Sequence, residues 1–233
     1  MNIVITGASR GIGFELAKKF AIEGHQVIAL ARSQDKLKKL EQVCRQENRE
    51  SKLIPVSFDL LSGSLRENFE RLVLKHFNKV DILVNNAGLL LNKSFRDFTE
   101  EEFDRLYAVN VRAPFFIVQA LDELFSEHSH IVNISSMGGY QGSVKFPGLS
   151  LYSSAKGALA VLTECLAEEL KDRNIKVNCL ALGAAQTEML EEAFPGYRAP
   201  VSAEKMADFI KDFCLSGHHF FNGKILPVSV STP

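Results

Sequence analysis

Along the chain, short apolar runs rich in β-branched residues alternate with longer segments whose apolar positions recur at helical spacing between polar flanks. The first kind predicts strands over Asn2–Thr6, Gln26–Ala31, Lys52–Ser57, Val80–Asn85, Ser129–Ile134, Ile175–Leu180 and Lys224–Val228. The second predicts helices over Gly11–Glu23, Gln34–Gln46, Ser64–His76, Glu100–Phe125, Tyr152–Arg173 and Ala203–Phe213. The alternation predicts an α/β fold: a doubly wound parallel sheet of about seven strands with helices on both faces, because each apolar strand needs cover on two sides. Thr187–Ser202 carries Pro195, Gly196 and Pro200 without clear periodicity and is expected to form a loop or lid.

Composition narrows the picture. A chain of 233 residues fits one α/β domain spanning 1–233, and 46% hydrophobic with 24% charged residues is ordinary for a packed interior and a solvated surface. Charge runs such as Lys36–Glu41 and Glu100–Glu102 fall on polar helix faces or first turns. The net charge of -1 offers no basic field for nucleic acid or an anionic membrane, so neither is an expected partner. Cys44, Cys165, Cys179 and Cys214 are scattered without a CxxC pair, which favours reduced, buried thiols and no metal. His218 and His219 read as surface loop residues rather than metal ligands. The amino-terminal apolar run is short enough to be a first strand and has no secretory pattern, so a cytoplasmic location is expected.

The first strand runs directly into Thr6-Gly7-Ala8-Ser9-Arg10-Gly11-Ile12-Gly13 and then into a helical pattern. Glycines at such a junction allow a tight turn and close approach of backbone to a pyrophosphate, while free N–H groups at the helix start attract the anion. Gly7, Ser9, Arg10, Gly11, Ile12 and Gly13 are therefore candidate phosphate-binding positions. The spacing of three residues and then one differs from the commoner dinucleotide fingerprint and from the phosphate loop of nucleotide hydrolases.

Together with this turn, several further marks follow in order: Asn85-Asn86-Ala87-Gly88, Asn110, Ile134-Ser135-Ser136, Tyr152-Ser153-Ser154-Ala155-Lys156, and Gly183 to Thr187. With them the sequence resembles the short-chain dehydrogenase/reductase family, in its compact single-domain branch with 3-oxoacyl carrier protein reductases and carbonyl reductases. The resemblance implies a Rossmann-type fold and hydride transfer between a nicotinamide and a small carbonyl or alcohol. It further implies that Asp59 and Leu60 flank the adenine and that Asn86, Ala87 and Gly88 line the adenosine ribose. In this reading Ser136 binds the substrate oxygen, Tyr152 exchanges the proton, Lys156 holds the nicotinamide ribose, and Asn110 anchors a water leading toward Lys156.

Some of this has a direct physical basis. Tyr152 and Lys156 lie four apart on one helix face, and a neighbouring ammonium together with the positive nicotinamide ring favours the phenolate of a group that otherwise titrates near ~10. An NAD site usually has an acidic side chain at the end of the second strand, but here Ala31 is followed by Arg32 and Ser33. Arg32, helped by Arg10, can fork to a ribose 2'-phosphate, which points to NADP(H).

Three departures stand out. The segment from Met137 to Leu151 is about three residues longer than the family commonly shows, which keeps Ser135 and Ser143 as rivals for the role of Ser136. Leu182-Gly183 replaces the usual Pro-Gly, so Gly183 still turns the chain while anchoring of the carboxamide by Thr187 competes with a simple helix-capping role. Pro227 to Pro233 replaces the usual acidic residue and paired glycines. Apolar faces on the two long helices suggest a homodimer or homotetramer.

Leu89–Phe95, Met137–Leu151 and Met189–Pro200 are expected to wall an apolar substrate pocket. Besides an NADPH-dependent carbonyl reductase, two readings stay open: a catalytically silent NADP-binding sensor on the same fold, and a nucleotide-sugar epimerase or dehydratase, which generally needs a larger carboxyl-terminal region.

Overall fold

The computed structural model describes residues 1–230; Ser231, Thr232 and Pro233, the end of the altered carboxyl-terminal segment, lie outside the described residues. Elements follow one another as β1 (Asn2–Thr6), α1 (Gly11–Ile22), β2 (Gln26–Ala31), α2 (Gln34–Glu47), β3 (Lys52–Ser57), α3 (Leu65–Leu74) and β4 (Val80–Asn85). Then come α4 (Glu100–Tyr107), α5 (Ala113–Ala120), β5 (Phe125–Ser136), α6 (Ser150–Glu169) and β6 (Lys176–Leu182). The chain ends with β7 (Ala185–Gln186), α7 (Glu188–Ala193), β8 (Val201–Ser202), α8 (Ala203–Ser216) and β9 (Ile225–Val228).

Seven strands form one sheet in the order β3-β2-β1-β4-β5-β6-β9, all neighbours parallel, and β7 pairs with β8 separately. Because strand side chains alternate between faces, the near-continuous apolar strands feed two cores at once. Ile3, Ile5, Val27, Ala29, Ile82 and Val84 pack on one face against Leu16 and Phe20 of α1, Leu37 and Leu40 of α2, and Met206 and Ile210 of α8. Val4, Ile28, Leu30, Leu83 and Ile131 pack on the other against Phe69 of α3, Ile117 of α5 and Leu166 of α6. This is the doubly wound Rossmann-type sheet expected from the sequence. Each edge strand carries a proline, Pro55 in β3 and Pro227 in β9.

The strand order reverses between β1 and β4, which opens a crevice beyond their carboxyl ends. The glycine-rich turn after β1 and the Asn86–Gly88 segment after β4 both enter that crevice.

Several boundaries differ from expectation. The helix predicted over Glu100–Phe125 is three pieces: α4, a π-helical turn at Ala108–Arg112, and α5, after which a 3-10 turn at Asp122–Leu124 leads into β5. Pro114 gives a reason, since it has no N–H to return to the carbonyl of Asn110 four residues earlier. Strand β5 starts at Phe125, four residues early, and passes a register shift between Val80 and Ile82 of its partner. The predicted loop Thr187–Ser202 contains α7 and the β7–β8 pair.

Cys165 is exposed, unlike Cys44, Cys179 and Cys214. His218 is half-buried in a 3-10 turn, its ring tilted against that of His219 with centroids 4.0 Å apart, rather than on the open surface. Among the described residues no cluster of His, Cys, Asp or Glu is placed to hold a metal, and no helix is long and apolar enough to cross a membrane.

Candidate active site

A cleft of about 690 Å³ runs across the carboxyl ends of the central strands. Its floor is the turn from Gly7 to Gly13, lined by Gly7, Ser9, Arg10, Gly11, Ile12 and Gly13. Gly7 has φ +73°, and a Cβ there would stand 2.7 Å from the Ala87 Cα, so both its conformation and its neighbour require glycine. A Cβ on Gly13 would overlap the Gly7 carbonyl and the Asn86 amide. The turn thus presents bare backbone at the start of α1, where unpaired N–H groups and the helix dipole favour an anion.

Asn86 lines the cleft, but its side-chain amide braces this turn, donating to the carbonyls of Thr6 at 2.9 Å and Gly7 at 3.2 Å. Thr6 completes the brace, its hydroxyl accepting from the N–H groups of Asn86 and Ala87. Ala87 and Gly88 line the cleft beside it. Further out, Arg32, Asp59 and Leu60 form the opposite end. Asp59 accepts from the N–H of Leu61 at 3.0 Å, bracing its own turn while remaining on the cleft wall. Among the described residues, the Arg32 guanidinium makes no ion pair, whereas Arg10 is forked to Glu192.

At the inner end, Ser136, Tyr152 and Lys156 line the same cleft. Ser136 closes β5, its hydroxyl accepts from the Gly138 N–H at 3.2 Å, and it acts on the Tyr152 phenol by favouring the charged form. Its two rivals are engaged elsewhere. Ser135 is buried and donates to the Lys156 carbonyl at 2.9 Å, and Ser143 donates to carbonyls of its own loop, Met137 and Tyr140 among them.

Lys156 is 3% exposed, and its ammonium donates to the Ile134 carbonyl at 2.7 Å, 5.9 Å from the Tyr152 ring centroid. Burial lowers its pKa to about 8. Burial also pushes the Tyr152 phenol up to about 12, with Ser136 drawing it partly back. The lowering of the phenol expected from a neighbouring ammonium is therefore outweighed by desolvation, since Lys156 turns its charge toward a carbonyl rather than the phenol.

Asn110 sits fully buried in the π-helical turn, outside the cleft wall. Its amide clasps one residue at both ends, accepting from the Leu89 N–H at 3.1 Å and donating to the Leu89 carbonyl at 2.8 Å. A Cβ on Gly88 would meet the Asn110 oxygen at 3.2 Å and the Lys156 nitrogen at 3.5 Å, so these two groups approach one point. The wide turn removes Asn110 from the regular helix ladder, an arrangement common at functional positions.

Gly183 and Thr187 line the remaining side. Thr187 is the N-cap of α7, its hydroxyl accepting from the Leu190 N–H at 3.2 Å, so the capping role is present. The apolar walls come from Leu89 and Leu90, from Met137, Phe146 and Leu149, and from Met189, Leu190, Phe194 and Tyr197, drawn from all three expected segments. Sequence reasoning missed Glu188 and Glu192, acids that α7 brings to the phosphate-binding turn, and the Ile134 carbonyl that holds Lys156. No local pattern marks them, because each acts through a partner distant in the chain.

The arrangement fits a dinucleotide whose phosphates rest on the glycine turn and whose far end reaches Ser136, Tyr152 and Lys156. Comparison with known proteins agrees. The short chain dehydrogenase family model matches residues 1–198. The chain is 36% identical over 181 residues to pig (Sus scrofa) carbonyl reductase (NADPH) 2, covering 76% of this chain and 69% of the relative. It is 31% identical to a 3-oxoacyl-acyl-carrier-protein reductase of Aquifex aeolicus, covering 97% and 94%. A short chain dehydrogenase from Burkholderia cenocepacia in complex with NADP superposes with TM-score 0.88 at 27% identity, covering 99% and 96%. Fold, cleft and motifs converge with these matches on one assignment: the chain belongs to the short-chain dehydrogenase/reductase family of oxidoreductases, which bind a nicotinamide cofactor and act on small molecules.

Proposed function

We propose that this protein is an NADP(H)-dependent reductase of small, apolar carbonyl compounds, or a dehydrogenase of the matching alcohols. The observation that carries the reading is that Ser136, Tyr152 and Lys156 line one apolar-walled cleft with the glycine turn. Ser136 holds the substrate oxygen, and Tyr152 delivers or removes the proton at that atom. Lys156 holds the nicotinamide ribose, and Asn110 fixes the segment around Leu89 beside it. When bound, the nicotinamide supplies or accepts the hydride. Gly7 through Gly13 would hold its phosphates, Asp59, Leu60, Asn86, Ala87 and Gly88 would line its adenosine, and Gly183 and Thr187 would meet its carboxamide.

Preference for NADP(H) is supported by Arg32 at a position where Ala31 replaces an acid, and by relatives whose names carry NADPH or NADP. The whole chain acts as one cytoplasmic unit, and Phe103 and Phe115, exposed on α4 and α5, with Val161 on α6, supply the faces of a homodimer or homotetramer.

Mixing the purified protein with NADPH and a panel of ketones, aldehydes, quinones and 3-oxoacyl thioesters, while following nicotinamide absorbance, tests the reading. Turnover on one class, abolished in Tyr152→Phe and with NADPH but not NADH binding weakened in Arg32→Ala, is the expected result. Tight NADPH binding with no turnover across the panel would instead mark a sensor.

A further inference from the structure

A charged clasp ties the phosphate-binding turn to α7 beside the cleft. Arg10, on the phosphate-binding turn, is forked to Glu192 at the end of α7, 182 residues away. A second acid of the same helix, Glu188, reaches within 3.7 Å of the point where a Cβ on Gly11 would stand. Both acids act on Arg10, and the Glu192 bond is the larger influence keeping it protonated. The same end of α7 carries a second tie, the Asn92 amide donating to the Ala193 carbonyl at 2.9 Å. Earlier in the same helix, Met189 and Leu190 line the cleft.

A guanidinium offers its fork to one anion at a time in a given geometry. The 2'-phosphate of an NADP(H) molecule bound as proposed above would draw on Arg10 as well as Arg32, and Arg10 is already engaged. We infer that Glu192 is a cofactor-selecting residue: its carboxylate competes with the 2'-phosphate for Arg10, so that the phosphate releases α7 from the turn as it binds. A cofactor without that phosphate leaves the clasp closed. Linkage makes the coupling reciprocal, so whatever holds α7 down also weakens NADP(H). The inference rests on the dinucleotide reading of the cleft.

The pair is partly solvent-exposed, with side chains 32% and 63% accessible, so its removal should change affinity by only about two- to five-fold. Calorimetric titration of the full chain with NADPH, NADH and adenosine 2',5'-bisphosphate measures this. E192Q should tighten NADPH and the bisphosphate by that factor and leave NADH unchanged. In an Arg10→Ala background, E192Q should have no effect on any of the three. Hydrogen exchange gives an independent readout. The bisphosphate, which has no nicotinamide to contact the helix, should speed exchange of the α7 amides in the unmodified protein, whereas 5'-ADP should not.

Equal effects of E192Q on NADPH and NADH, weaker NADPH binding in E192Q, or α7 exchange indifferent to the bisphosphate would each overturn the inference while selective NADPH binding still stood. Failure of the unmodified protein to bind any dinucleotide would overturn the cofactor reading and this inference with it.

Discussion

Replacing Lys156 by methionine removes a buried charge while keeping the side-chain length, and the structure sets the size of the effect. The ammonium is 3% exposed, and burial holds its pKa at about 8 against an ordinary 10.5. A folded-state value below the unfolded one means that the unfolded chain binds more protons between these limits, so stability rises as pH climbs from about 8 to 10.5. At about 1.4 kcal/mol per pH unit, keeping the ammonium charged at pH 7 costs the fold about 3 kcal/mol. Methionine also gives up the bond to the Ile134 carbonyl, a loss of about 1 kcal/mol.

Lys156→Met should therefore be more stable than the unmodified protein by about 2 kcal/mol at pH 7, or roughly 4–8 °C in Tm, with no catalytic turnover. By about pH 10.5, where the unmodified lysine is neutral in the folded state, the advantage should vanish and slightly reverse. Urea denaturation followed by circular dichroism at pH 7, 9 and 10.5, at fixed protein concentration, measures both. A variant less stable at pH 7, or a gap that does not change with pH, would refute the claim that Lys156 is held in the cleft at the expense of stability.

Gly13→Ala places a methyl on the Gly7 carbonyl and the Asn86 amide, so it should cost about 1–3 kcal/mol and weaken dinucleotide binding at least tenfold, roughly, in calorimetry. Unaltered affinity would show that the turn does not hold phosphates. Thr99 and Glu102 form a reciprocal capping box at the start of α4, and Thr99→Ala should lower stability by about 1 kcal/mol, read as an earlier urea midpoint. Phe20 is fully buried in the core between the sheet and α8, so Phe20→Ala should cost about 3–5 kcal/mol; a loss under about 1 kcal/mol would mean that this core layer is not packed as described.

The sheet was legible because its strands are buried on both faces and must be apolar throughout, as Ile3 to Ile5 and Ile82 to Val84 are. Helix continuity was not: apolar spacing runs on through Glu100–Phe125, and only Pro114 signals that one backbone bond is missing near Asn110. Helix α7 escaped notice because six residues between turn-forming segments show no period, and its start is set by the Thr187 cap. Within the site, motif order brought Ser136, Tyr152 and Lys156 to one cleft, but the choice among Ser135, Ser136 and Ser143 depended on which hydroxyls the backbone already engages. The direction of the Lys156 charge was hidden for a similar reason. Four-residue spacing places Lys156 on the same helix face, yet the direction of its ammonium follows from the carbonyl of Ile134, a residue on another element.

The prolines on the two outermost strands have a consequence for how this chain meets others of its kind. Lys224 and Val228 accept inward from Cys179 and Gly183, so the intervening Pro227 turns its nitrogen toward the open margin; the Phe58 donation to Ala31 fixes the same parity for Pro55. Each margin thus lacks a donor midway along the row that an incoming chain would have to zip onto. A crowded population of partly folded molecules is thereby discouraged from growing one continuous ribbon, a safeguard against fibrillar association during synthesis that is written into two imino acids.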